Sequence, residues 1–174
     1  LSESISKVVY SPDGHTLVTA TFQGDIQLWD AEGNLIRRFA MHNRPMQGLD
    51  ISPDGQYGVS GSDDFTAKLW DLEGNVLTTV THDEWIRDAV FSPDGQTFAT
   101  ASEDDLARLW DLDGNLLAEF VGHADGVNAI SFSPDGRKLV TASDDSIVKL
   151  WDLQGNLIHS FQNHHGRVWT VAFS

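Results

Sequence analysis

The chain has 174 residues, 40% of them apolar and 21% charged, the composition of a globular protein with room for one ordinary core. Its 11 basic side chains stand against 26 acidic ones, and the formal net charge of −15 disfavours nucleic acid and anionic membrane surfaces as partners. There is no cysteine for a disulfide or thiolate metal site, no apolar run near the ~18 residues of a membrane helix, and no basic-then-apolar leader in "LSESISKVVY". The expectation is a cytoplasmic protein without cofactor or metal.

From the N-terminus, the first turn signal is "SPDG" at 11–14, followed by "LWD" at 28–30, "GN" at 33–34 and His42. The same signals return as "SPDG" at 52, 92 and 133, "LWD" at 69, 109 and 150, "GN" at 74, 114 and 155, and histidine at 82, 123 and 164. Successive copies lie 40 or 41 residues apart, and four interleaved series with one period mark an internal repeat. The fourth copy shows the strands best: "VNAISF" (127–132), "KLVTAS" (138–143), "IVKLWD" (147–152) and "LIHSF" (157–161). They are rich in β-branched and aromatic residues and bounded by turn residues. In "SPDG" proline presets φ, aspartate bonds its own backbone and glycine takes positive φ. Connections this short make consecutive strands antiparallel neighbours, so each period is a four-stranded meander with apolar residues on both faces. Each sheet therefore needs another on either side, which radial stacking supplies.

The period, the "WD" pair after the third strand and the histidine before the first resemble the WD-repeat β-propeller family over the whole chain. The linker "DLxGN", varied to "DAEGN" at 30–34, resembles the regular arrays of bacterial multidomain proteins. The fold class expected is all-β: four blades at 1–41, 42–81, 82–122 and 123–163, with 164–174 as the first strand of a fifth. The family usually closes with seven blades. Three arrangements stay open: a piece of a longer gene product, two chains pairing into an eight-bladed ring, or a closed four-bladed ring. In each the last strand needs a partner, so self-association through unpaired terminal strands is expected.

The stretch "SDDSIVKLWD" (143–152), with His123 upstream, raises the question of Ser-His-Asp chemistry. Comparison of the copies answers it. His42, Ser60, Asp64 and Trp70 recur as His82, Thr100, Asp104 and Trp110, and again as His123, Thr141, Asp145 and Trp151. A catalytic triad is needed once, whereas a constellation in three consecutive copies is architecture. The resemblance implies a buried histidine–hydroxyl–aspartate–tryptophan hydrogen-bond network inside each blade. A buried indole N–H requires an acceptor, and the earlier of two hydroxyls, Ser60, Thr100 or Thr141, is the nearer candidate. The first copy keeps Thr19, Thr21 and Trp29 but has Gln23 at the aspartate position and Leu1 at the histidine position, so a weaker blade is expected there. The neighbouring Asp63, Glu103 and Asp144 read as solvated turn charge rather than a metal site. On that reading Asp144→Ala is nearly silent.

Positions that differ between copies are free to specialise. Ser6, Gln47, Arg87, Asn128 and Trp169 form one such series at the start of the innermost strand, and Ser4, Pro45, Trp85, Gly126 and Arg167 another. The proposed partner-binding rim of the central channel is Gln47, Trp85, Arg87, Asn128, Arg167 and Trp169. Tryptophan and arginine dominate binding hot spots, and the bland reading is that they pack against neighbouring blades. Arg44, Arg87 and Arg167 would give the rim a basic spot suited to a carboxylate. The function expected is a non-enzymatic scaffold for a protein or peptide partner, in the regulatory or sensor part of a larger bacterial protein. The alternatives are a propeller enzyme with a metal or catalytic group in the channel, for which Glu84 and His165 are the nearest groups, and a purely structural array. No phosphate-binding Gly-Lys loop occurs.

Overall fold

The structure is a computed structural model and describes residues 4–173. Four antiparallel sheets follow one another along the chain, each a meander with its strands in sequence order. Sheet 1 comprises β1 (Ile5–Tyr10), β2 (Leu17–Thr21), β3 (Asp25–Trp29) and β4 (Leu35–Ala40); sheet 2 comprises β5 (Met46–Ile51), β6 (Tyr57–Ser62), β7 (Thr66–Asp71) and β8 (Val76–Thr81). Sheet 3 holds β9 (Ile86–Phe91), β10 (Thr97–Ser102), β11 (Ala107–Asp111) and β12 (Leu116–Phe120), and sheet 4 holds β13 (Val127–Phe132), β14 (Lys138–Ser143), β15 (Val148–Asp152) and β16 (Leu157–Phe161). The first strands, β1, β5, β9 and β13, are packed side by side and form the inner wall.

Burial follows from this stacking. The second strand of each sheet is covered on both faces and reads as a run of small and β-branched residues, such as "GVSGS" and "LVTAS", rather than an alternation. The fourth strands are outermost and mostly exposed. Three cores lie between the sheets. Val18, Ile26 and Leu28 meet Leu49, Ile51 and Trp70; Val59, Leu69 and Val80 meet Ile86, Phe98 and Trp110; Leu109 and Phe120 meet Ile130, Leu139 and Trp151. Each tryptophan of sheets 2–4 thus packs on the preceding sheet, and two of them meet a fourth-strand phenylalanine edge-on, Phe39–Trp70 at 5.5 Å and Phe120–Trp151 at 5.8 Å. The sheets approach closely where side chains are missing: a Cβ on Gly48 would lie 2.5 Å from the Ala89 nitrogen of the next sheet.

The turns are closed by the repeated aspartates. In "SPDG" the serine hydroxyl donates to the aspartate Oδ1, as Ser11 does to Asp13 at 2.6 Å, and the same oxygen accepts the backbone N–H two residues on. The aspartate of "WD" closes the next turn: Asp30 accepts the backbone N–H of Asn34 at 2.8 Å and its side-chain amide at 2.9 Å, and Asp71, Asp111 and Asp152 repeat the pattern. Between the second and third strands the left-handed position is taken by Gly24 in sheet 1 and by Phe65, Asp105 and Ser146 in the others. At Gly24 a Cβ would collide with the His42 carbonyl oxygen.

The segment expected as a fifth first strand carries no ladder. Residues 162–173 have no strand assignment. They nonetheless take the position of such a strand, with Val168, Val171 and Phe173 packed on Ala129, Val140, Ala142 and Val148 of sheet 4. Leu1 and Ser174 lie outside the described residues.

Trp151 is 1% exposed, whereas Trp29, with no described sheet before it, is only half-buried. Trp151→Ala is expected to lower stability by about 3–5 kcal/mol, and Trp29→Ala by clearly less. Urea unfolding of the two variants measures the difference, and equal losses would contradict the packing described.

Candidate functional site

Two constellations repeat from sheet to sheet. The first is buried. Trp70 Nε1–H donates to Ser60 Oγ at 3.2 Å, and that oxygen lies 2.8 Å from His42 Nε2. His42 Nδ1 lies 2.9 Å from Asp64 Oδ2. In sheet 3 the corresponding distances are 2.9 Å (Trp110–Thr100), 2.8 Å (Thr100–His82) and 2.8 Å (His82–Asp104). In sheet 4 they are 2.8 Å (Trp151–Thr141), 2.7 Å (Thr141–His123) and 2.8 Å (His123–Asp145).

Donor and acceptor inventories give these chains one direction. The indole can only donate, so the hydroxyl accepts from it and donates its own proton to Nε2. The imidazole is then neutral with its proton on Nδ1, which donates to the carboxylate. Burial pushes His82 and His123 below the usual histidine value, against the pull of their aspartates. Burial alone would raise Asp104, but its hydrogen bond from His82 and the adjacent charges outweigh it and bring it down to about 2. Asp145 and Asp64 are lowered in the same balance. The later hydroxyls, Ser62, Ser102 and Ser143, tie the loops instead: Ser143 Oγ accepts from Asp145 N and donates to Asp125 O at 2.8 Å. Among the described residues of sheet 1 only the first link is present, from Trp29 Nε1 to Thr19 Oγ1 at 3.0 Å. A hydroxyl proton donated to Nε2 inside a packed sheet has no route to a substrate, so this arrangement is structural.

The second constellation sits at the inner wall. Each first strand carries a one-residue bulge, and the residues skipped in the ladders are Ser6, Gln47, Arg87 and Asn128. A bulge re-aims the side chain of its extra residue. Together with Lys7 and Trp169 these four line one hollow of about 250 Å³. Trp85 and Arg167 stand beside it: the Arg87 guanidinium lies 5.0 Å from the Trp85 ring, and that of Arg167 lies 5.9 Å from the Trp169 ring. Trp85 is 40% and Trp169 62% exposed.

The acidic neighbours Asp63, Glu103 and Asp144 correct the sequence expectation. They are not free turn charges: Glu103 and Asp144 each hold the bulge residue of their own sheet, and Asp63 is half-buried. Arg87 meets Glu103 at 2.6 Å, and Asn128 Nδ2 donates to Asp144 Oδ1 at 2.6 Å. The Asp144 side chain is 5% exposed and also pairs with Arg167 at 3.2 Å. The basic spot expected at the rim is thereby neutralised at Arg87 and Arg167. Asp63 is raised by its burial, although Arg87 and Arg44 pull it down, and its Oδ1 and the Asn128 Oδ1 are buried acceptors without a protein donor.

Sequence reasoning missed the charges below the rim. Lys7 Nζ of sheet 1 reaches over Gly48 of sheet 2 to Asp88 Oδ1 of sheet 3 at 3.4 Å, and Asp88 Oδ2 accepts the Ile130 N–H of sheet 4 at 3.3 Å. Asp50 Oδ2 likewise accepts the Phe91 N–H of the next sheet at 2.8 Å. Burial raises both carboxyls, Asp50 to about 6, against these hydrogen bonds and the Lys7 charge. The missed signal was the column one residue past the bulge, where Lys7, Gly48, Asp88 and Ala129 stand at equivalent positions. No group of three or more metal-ligating side chains converges among the described residues, and Glu84 and His165 enter neither constellation.

Four antiparallel sheets, each in the same register and three with the same indole-to-carboxylate chain, are the blades of a β-propeller-type repeat protein. A family model described as "WD domain, G-beta repeat" matches residues 2–30, 33–71, 74–111 and 114–152. The chain belongs to the WD-repeat family. A comparison with curated proteins found no match. The matched units are offset from the sheets: 33–71 contains β4 with β5, β6 and β7, so one sequence unit supplies strands to two sheets.

Removal of Asp144 leaves the Asn128 amide and Arg167 short of a partner. Asp144→Ala is therefore expected to cost about 1–3 kcal/mol, measured by chemical unfolding, and a silent variant would restore the reading of a solvated charge. The carboxyls also set opposite pH slopes. Asp104, depressed to about 2, contributes stability that is fully present above its unfolded value of 3.8 and lost as pH falls through 2. Asp50, raised to about 6, contributes stability present below 3.8 and lost as pH rises through 6. Asp50→Asn is expected to make the melting temperature climb more steeply between pH 4 and 6 than in the parent chain, and superimposable profiles would contradict this.

Proposed function

We propose that the chain is a non-enzymatic scaffold that binds a protein or peptide at the channel-side rim formed by Gln47, Trp85, Arg87, Asn128, Arg167 and Trp169. The observation that supports this most is the bulge series. The fold repeats the bulge, but four sheets place four different side chains there, in one hollow, with two exposed tryptophans beside it. WD repeats generally serve as protein-interaction scaffolds, and tryptophan and arginine are the residues that anchor such contacts. The dense acid of the chain keeps nucleic acid from the list of partners. A cytoplasmic, regulatory or sensor role in a larger bacterial protein fits the "DLxGN" array.

The test is a displayed random-peptide library selected on the immobilised chain. Enriched peptides are expected to lose at least about tenfold in affinity, roughly 1.4 kcal/mol, on Trp169→Ala or on Trp85→Ala with Arg87→Ala. Ile158→Ala on the outer strand of sheet 4 should leave binding unchanged. Peptides that respond to the outer-strand variant and ignore the rim would overturn the assignment.

A further inference from the structure

A second bulge series runs along the outer strands. In each sheet the ladder between the third and fourth strands skips one residue, and the residues skipped are Ile36, Leu77, Leu117 and Ile158. The inner bulges carry four unlike side chains, whereas every outer bulge carries a large aliphatic one. All four are between 48% and 55% exposed. They stand on the last strand of each sheet, a free edge among the described residues, where exposed charge is the usual guard against sticking. A bulge turns its side chain out of the ladder, so the fold presents these aliphatics rather than hiding them.

Sheets 2 and 3 each lie between two others, and hollows open beside their outer bulges. Leu77 borders one of about 500 Å³ with Tyr57, Leu72 and Glu73. Leu117 borders one of about 400 Å³ at the seam of sheets 3 and 4, with Leu109, Leu153 and Asp94. The turns around them, 52–56, 71–75, 92–96 and 111–115, hold Asp54, Asp71, Glu73, Asp94, Asp111 and Asp113 and no Lys, Arg or His. Hydrogen bonds from Ser52, Asn75, Ser92 and Asn115 hold four of these carboxyls below the usual range, so they stay charged. The third-to-fourth-strand turn of sheet 3 also leans on sheet 2. Thr78 Oγ1–H donates to Leu112 O at 2.7 Å, which brings the acids of sheet 3 beside the bulge of sheet 2.

We infer that this corner of sheets 2 and 3, at the opposite end of the strands from the histidine loops and the rim, is a second docking surface, and that it takes a partner segment in which aliphatic side chains alternate with lysine or arginine. The aliphatics enter the hollows beside Leu77 and Leu117, and the cations meet the turn acids. Charge selects the occupant. A second copy would bring the same acids against these, and anionic lipid or nucleic acid would be repelled. An apolar patch rimmed by one sign of charge draws a basic segment in and then seats it.

Titration of the chain with a fluorescent peptide of alternating lysine and leucine tests this. Lysine–serine and glutamate–leucine peptides each lack one of the two features, and are expected to bind at least about tenfold more weakly. Leu77→Ser with Leu117→Ser should cost at least about tenfold. Glu73→Gln with Asp113→Asn should weaken binding and flatten its salt dependence. All four positions are exposed, and circular dichroism checks that the sheets persist in each variant. Trp169→Ala at the rim should change nothing, so this site and the rim site are read separately. Equal binding of the lysine–serine peptide, or indifference to the leucine pair, would reduce the contact to diffuse charge attraction and overturn the inference. So would a response to Trp169→Ala alone, or self-association that the leucine pair abolishes in a chain that binds no peptide.

Discussion

A buried indole N–H has to donate to something, and that requirement organises each of the last three sheets. The tryptophan is buried because it fills the gap to the preceding sheet. Its N–H engages a hydroxyl on the second strand, which leaves that hydroxyl free to donate only to an imidazole nitrogen. The opposite nitrogen must then carry the proton, and the carboxylate in the turn accepts it. One hydrophobic contact between sheets therefore fixes, through three hydrogen bonds, how the entering loop and the central turn are held. Removing any member leaves a buried polar group unpaired, so the chain of bonds behaves as a unit.

The inner wall obeys a different logic. There the contacts run between sheets rather than within them. Asp50 and Asp88 accept backbone N–H groups of the following sheet, and Lys7 passes over Gly48 to reach Asp88. These carboxyls are raised by burial, whereas those of the histidine networks are lowered by their partners. The same residue type thus sits in opposite protonation balances, according to whether an imidazole faces it or burial prevails. Above this layer the bulges turn four unlike side chains toward one hollow, where the copies differ most.

Most of the fold was legible in the residues, because a repeat prints its turns and strand ends four times over. The fourth copy's strands differ from the structure by one residue, at Ile147. The network partners were legible for the same reason. The rim positions could be read as a column, but not the bulge that aims them, since a bulge is a register relation between two strands and leaves no residue signature here. Asp144 shows the limit most clearly. In sequence it is one acid beside another in a turn; only the fold brings Asn128 and Arg167 to it and removes it from water. The charges of Lys7 and Asp88 were invisible as a pair because they lie two sheets apart.

The offset between sequence unit and sheet has a consequence for how such an array changes over generations. Each of the last three matched units closes the sheet before it with an outer strand and opens the next with three inner ones. Duplication or loss of one whole unit therefore rejoins a sheet from two halves that already know each other's register. The inventory of sheets can grow or shrink by integers while every surviving seam keeps its tryptophan, its hydroxyl and its turn. The bulge residues travel with their units, so a change in length reshuffles the rim one position at a time.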